Sequence, residues 1–217
     1  IRTRVTQRQK RLAWAAAIVA GATATSRVVG LVREMLTGYY YGTAGDISTW
    51  TSISVFPNLI RSLLADAAIS AAFVPVFMQL LVKGERERAD RLASALLSLV
   101  TLVIGALVLV LIGIAPLLIK LVYPNLAADR SLFDLAVMMT RAVMPTVLLL
   151  SVGGVIIGIL YSFERFTMPA VISIVWNLVI IAFLVLLAPA WGIHAMVWGT
   201  VVGTVAEIAL LLLPLRG

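Results

Sequence analysis

The chain has 217 residues, 62% of them hydrophobic and 12% charged, with a mean hydropathy of +1.08; a soluble domain carries about 25% charged residues, so a soluble globular class is excluded. The absence of cysteine excludes a disulfide framework and thiolate chemistry, and the single histidine, His194, cannot build a metal centre alone, so neither a metal nor a cofactor is expected. Lys and Arg outnumber Asp and Glu by 17 to 10, but they gather at the ends of apolar segments, where they set membrane orientation rather than bind nucleic acid.

Residues 1–11 form a basic arm carrying Arg2, Arg4, Arg8, Lys10 and Arg11. Such a start followed by Leu12–Ser26 imitates a secretory signal. The arginines and the long apolar continuation instead predict a retained first span over 12–41, holding Arg27, Arg33 and Glu34. The next region, 47–82, holds Arg61 and Asp66. Divided at those charges it yields two pieces, each short for a crossing, and would put Lys83, Arg86, Arg88 and Arg91 outside. One long, bent span avoids that conflict. Four ordinary spans follow: 92–120, 133–163 (Leu135–Phe163 holds only Arg141), 167–190 and 195–215, the last holding only Glu207. The expectation is an all-α, polytopic bundle of six transmembrane helices. A first residue that is not Met and an end on a helix, Leu213–Gly217, read as a piece of a longer protein.

Orientation follows from the basic residues. The arm, the Lys83–Arg91 loop, Arg165 and Arg216 fall on one side, whereas Tyr41–Ile47 and Pro189–Ala195 carry no Lys or Arg. Only Lys120 and Arg130 lie near the remaining loop of that second side. Both ends are therefore expected in the cytoplasm. Gly154 with Gly158, and Gly199 with Gly203, allow close helix approach. Trp50, Trp191 and Trp198 suit an interfacial belt, Asn177 an interhelical hydrogen bond, and His194 a solvated loop.

Charge at bilayer depth costs about 2.5–3.5 kcal/mol on insertion scales. Arg33–Glu34 and Arg61–Asp66 are readable as internal ion pairs, yet three arginines face two acids, and one positive charge is left for a ligand. Arg27 and Arg33 are six residues apart, about 9 Å of rise and about 120° of rotation on a helix. A break at Gly30 is the way to turn both toward one cavity. Pro57, followed by Asn58 and Arg61, is a second expected hinge; interrupted helices near the midplane are typical of transporter substrate sites. Guanidinium is the preferred partner of a diphosphate because its planar fork makes bidentate hydrogen bonds. Arg141 is expected either to support this cavity or to snorkel.

Three segments carry a family resemblance. Ser26-Arg27-Val28-Val29-Gly30-Leu31-Val32-Arg33-Glu34 is similar to the SRxxGxxRD/E signature of the MurJ (MviN) family of lipid II flippases; Phe56-Pro57-Asn58-Leu59-Ile60-Arg61 is similar to its PNLLRR segment; Asp66 to Val76 resembles EGAFSxAFVPV. A weaker likeness continues through Tyr161–Pro169. The resemblance implies a member of the multidrug/oligosaccharidyl-lipid/polysaccharide exporter superfamily, with two six-helix lobes around a cavity, of which this chain is the N-terminal one. It implies a bacterial inner-membrane flippase that moves an undecaprenyl-diphosphate-linked disaccharide peptide by alternating access, with the C-terminal lobe and membrane lipid as partners. Arg27, Arg33 and Arg61 take the positions of the family's essential cavity arginines and are the expected diphosphate-binding residues. Ser26, Glu34, Asn58, Asp66 and Arg141 are expected to support the cavity, and Gly30 and Pro57 to act as its hinges. The chain departs from the pattern where Ile47-Ser48-Thr49-Trp50 stands for TDAF and Asp66-Ala67 for Glu-Gly. A flippase for another polyprenyl-linked glycan and a transport-inactive assembly subunit stay open as alternatives. A membrane enzyme is disfavoured, because no Asp-rich, His or metal-binding loop is present.

Overall fold

The computed structural model describes residues 2–43, 45–61, 73–163 and 167–213; the side chains of 2–13, 15–16, 19, 60–61 and 167–170 are outside that set. Every regular element among the described residues is an α-helix: α1 (Arg2–Tyr41), α2 (Asp46–Arg61), α3 (Val74–Val82), α4 (Arg86–Gly113), α5 (Ala115–Val122), α6 (Pro124–Ala128), α7 (Arg130–Ser162), α8 (Thr167–Trp191) and α9 (His194–Leu212). Helices dominate because a chain in lipid must satisfy its backbone groups within each segment. Four of them, α4, α7, the Val171–Trp191 part of α8, and α9, are long and apolar enough to cross a membrane.

The contacts define how the helices run. Ser26 Oγ meets Ser173 Oγ at 2.9 Å and Tyr41 Oη donates to the Gly192 carbonyl at 2.9 Å, so α1 and α8 are parallel. Gly105 faces Leu148 and Ile112 faces Arg141, so α4 and α7 are antiparallel. Gly199 packs on Phe183 and Gly203 on Trp176, so α8 and α9 are antiparallel. Among the described residues an up-and-down bundle results, consistent with six passes: α1, the pieces α2 and α3, α4 with α5, α7, α8 and α9. The basic arm is helical too, continuous with the rest of α1 from Arg2.

Local chemistry sets the breaks. After α3 the chain turns at Gly84, φ +76°, a left-handed conformation that glycine adopts without a Cβ penalty. Gly84 N–H donates to the Leu81 carbonyl and Glu85 N–H to the Leu80 carbonyl, the paired bonds of a Schellman ending. The expected span 92–120 is interrupted at Ile114. Pro116 has no N–H, so the carbonyl four residues earlier, Ile112, loses its helical donor. Arg141 Nε on α7 supplies the replacement at 3.3 Å. Asp129 caps α7, its Oδ1 accepting from Ser131 N–H at 2.8 Å and Leu132 N–H at 3.3 Å. The Ser131 side chain and these amides hold its carboxyl below the usual aspartate range. A depressed folded value means that the cap acts above the unfolded pKa and is lost as pH falls through the folded one. Asp129→Ala is expected to speed amide hydrogen exchange several-fold at Ser131 and Leu132 at neutral pH, with the difference from wild type vanishing in acid. Unchanged exchange at both amides would contradict the cap.

The core lies where α2, α5, α7, α8 and α9 meet, around Ile53, Ile119, Met139, Ile180 and Leu184. Trp50 is buried in this cluster rather than placed in the interfacial belt; Trp191 and Trp198 are exposed as expected.

Candidate functional site

A cavity of about 960 Å³ opens between α1, α2, α7, α8 and α9. Its only described charged groups are Arg33 and Glu34. Glu34 Oε1 pairs with one terminal nitrogen of Arg33. The Arg33 side chain is 17% exposed and that of Glu34 62%, so the cation is set into the wall and the acid stands toward the opening. Arg33 Nε is buried with no hydrogen-bond partner. The guanidinium therefore has a donor to spare, and a carboxylate occupies one position that a second oxyanion can contest.

Arg33 is held from behind. Its Cζ lies 5.1 Å from the centre of the Trp176 ring on α8, a cation–π contact worth about 2 kcal/mol when desolvated. Trp176 Nε1 donates to Thr204 Oγ1 on α9 at 3.2 Å. Gly203 makes room for this indole, since a Cβ there would lie 3.2 Å from Trp176 Cδ1. The indole thus fixes the guanidinium plane, and α9 fixes the indole.

The rest of the wall is hydroxylic. Ser48, Thr51, Ser54 and Asn58 on α2 line the cavity, with Thr200 and Thr204 on α9 opposite. Each of these hydroxyl donors is already used, whereas Asn58 keeps one of its two amide hydrogens. Ser48 gives its proton to the Gly45 carbonyl (2.7 Å), Thr51 to Ile47 (2.9 Å) and Ser54 to Trp50 (2.8 Å). Asn58 Nδ2 donates to the Ser54 carbonyl (3.0 Å), Thr200 to Met196 (2.9 Å) and Thr204 to Thr200 (2.9 Å). What each oxygen offers the cavity is a lone pair. The wall is thus mainly an acceptor surface with one cation set into it, suited to a ligand that is anionic at one point and chiefly a donor elsewhere.

The expected site residues separate in space. Arg33, Glu34, Pro57 and Asn58 share the cavity wall. Arg27 does not join them; it is exposed and outside the lining. The unwinding expected at Gly30 is absent, because α1 runs unbroken through it. Gly30 packs toward α8 instead, with Asn177 Oδ1 3.7 Å from where a Cβ would stand. Without a break, the 120° between the two arginines persists. α2 likewise continues through Pro57 to Arg61. Ser26 belongs to the α1–α8 seam through Ser173. Arg141 lines a different recess and holds the Ile112 carbonyl. Asn177, expected to bond another helix, gives Nδ2 to the Ser173 carbonyl of its own, and its Oδ1 is buried without a partner. The Arg61 side chain and Asp66 lie outside the described residues. Sequence reasoning passed over Trp176 and Thr204. The available signal was an indole N–H in mid-span, away from either belt, which needs a buried partner.

A family model described as Lipid II flippase MurJ matches residues 39–217. A Burkholderia cenocepacia protein named lipid II flippase MurJ is 30% identical over 191 residues, covering 87% of this chain and 37% of its own length. A Bdellovibrio bacteriovorus protein named probable lipid II flippase MurJ is 28% identical over 213 residues, covering 96% of this chain and 40% of its own. The chain thus spans about two fifths of these relatives. A solved lipid II flippase MurJ in an inward closed conformation superposes with a TM-score of 0.75 at 24% identity, over 90% of this chain and 41% of that one. An outward-facing multidrug-resistance MATE transporter of the MOP superfamily superposes with a TM-score of 0.73 at 13% identity, over 93% and 44%. Both share the fold, over less than half of each solved chain. The chain is a multi-pass membrane protein and belongs to the lipid II flippase MurJ family.

Proposed function

We propose that this chain is the N-terminal lobe of a lipid II flippase. It carries an undecaprenyl-diphosphate-linked disaccharide peptide across the bacterial inner membrane by alternating access, together with a C-terminal lobe. The observation that carries the reading is Arg33, set into a cavity wall with Nε unpartnered and only Glu34 as counter-ion. A diphosphate takes both edge positions of the fork where the carboxylate takes one, and charge-assisted bidentate bonds are the stronger. The acceptor wall of α2 and α9 suits the hydroxyl and amide donors of the sugars. The polyprenyl tail stays in lipid. No bond is made or broken, so no catalytic residue is needed. Arg27 and Arg61 join the diphosphate site when α1 and α2 rearrange between access states.

Both ends of the chain lie in the cytoplasm in this reading, and the Lys83–Arg91 turn with them. The full-length gene is expected to restore growth to a flippase-depleted strain, and failure of a well-expressed protein to do so counts against the assignment. In the same cells, an impermeant maleimide is expected to label Thr43→Cys and to leave Glu87→Cys unlabelled. The reverse pattern would invert the topology.

A further inference from the structure

A second recess, of about 640 Å³, lies at the end of the bundle opposite the Lys83–Arg91 turn, between α5, α7 and α9. Pro116, Val137 and Met138 give it an apolar side, and Asp134, Arg141 and Trp198 a polar one. Phe133 also lines it and carries the Lys120 ammonium 5.5 Å from its ring centre.

Two helices independently place this recess at the membrane edge. From Ser162 to Arg141, α7 has no charged residue, and 21 residues rise about 31 Å. From Arg91 to Ile112, α4 is equally uncharged beyond Arg91 and equally long. The hydrocarbon layer is about 30 Å thick. With the far ends of both helices at one interface, Arg141 and the Ile112 carbonyl that it holds come level with the other, where lipid phosphates lie. Trp198, 45% exposed, is the residue type of that level.

The charges are not spent on each other. Asp134 and Arg141 are seven residues apart on α7, about 10.5 Å of rise and within about 20° of the same face. They nevertheless form no ion pair. Arg141 uses Nε on Ile112, leaving its terminal amines for another acceptor.

We propose that this recess binds one membrane phospholipid with a primary-ammonium headgroup. Its phosphate lies on Arg141. Its ammonium lies on Asp134. Its ethylene link crosses Val137 and Met138, which lie between Arg141 and Asp134 on α7, and the acyl chains leave Arg141 toward the bilayer centre. A cation and an acid on one face, apart by the reach of a zwitterionic headgroup, match phosphate and ammonium together; a purely anionic headgroup would leave Asp134 opposed. The site is separate from the Arg33 cavity and holds whatever the transported substrate is.

The test is native mass spectrometry of the full-length protein after incubation with equal amounts of phosphatidylethanolamine, phosphatidylcholine, phosphatidylglycerol and diacylglycerol of the same chains. Wild type is expected to retain one phosphatidylethanolamine about tenfold over phosphatidylcholine, which lacks the N–H donors for Asp134, and to retain no diacylglycerol. Asp134→Asn, which leaves the Ile112 contact intact, is expected to bring phosphatidylethanolamine down to the phosphatidylcholine level. Arg141→Gln keeps an amide donor for Ile112 and is expected to lose both. Equal retention of all four lipids by wild type, preference for phosphatidylglycerol, or an Asp134→Asn protein that still selects phosphatidylethanolamine would overturn the proposal.

Discussion

Replacing Arg33 by lysine is expected to remove most of the transport activity although the positive charge is kept. The guanidinium is held in one plane by Trp176 and presents a buried Nε beside the nitrogen that Glu34 occupies. A phosphate entering there gains two parallel charge-assisted bonds. Lysine offers a mobile point charge on a thinner stem, cannot make the fork, and stacks less well on the indole. Losing one charge-assisted hydrogen bond of about 1.5–3 kcal/mol corresponds to roughly ten- to hundredfold weaker binding. The measurement is lipid II affinity of the full-length protein, with growth of a flippase-depleted strain beside it. Arg33→Ala is expected to be worse still, because it also leaves Glu34 without its counter-ion. A lysine protein that binds within twofold of wild type would show that charge alone suffices, and the fork argument would be wrong.

The second large effect is expected one layer behind the arginine. Trp176→Leu preserves apolar bulk against Gly203 but removes both the ring face under Arg33 and the N–H to Thr204. Trp176→Phe keeps a face and loses only the N–H. If Trp176 positions Arg33, the leucine protein is expected to lose about thirtyfold in lipid II affinity, the worth of a desolvated cation–π contact of about 2 kcal/mol. The phenylalanine protein should retain most of it. Both lose the Thr204 bond, so their melting temperatures should fall by similar amounts. A purely structural tryptophan makes the opposite pattern, with affinity tracking melting temperature in both variants. The two series are also separable from the transport assignment: should lipid II fail to bind wild type at all, that assignment falls, whatever Trp176 does.

Much of the architecture was open to reading in the residue order. An all-α, six-pass bundle follows from apolar runs of about 20 residues, because lipid denies the backbone any partner outside its own helix. Arg33 stood out for the same reason: a charge at that depth is too costly to be idle. Its partner Glu34, next in the chain, was legible too. What the chain alone did not disclose is which way each helix is turned. Arg27 and Arg33 looked like one site if Gly30 unwound, but Ser26 on Ser173 and Gly30 beside Asn177 lock α1 to α8 as a continuous helix, and Arg27 stays outside the cavity. Arg141 read equally as a further cavity residue or a snorkelling one until the fold set it against Ile112, 29 residues away, whose carbonyl Pro116 had orphaned. Trp176 and Thr204 meet only because α8 and α9 are antiparallel and Gly203 lets them close. A sequence displays the cost of every buried polar or charged group. The group that meets that cost is set by the register and rotation of helices far apart in the chain, and those are decided by packing alone.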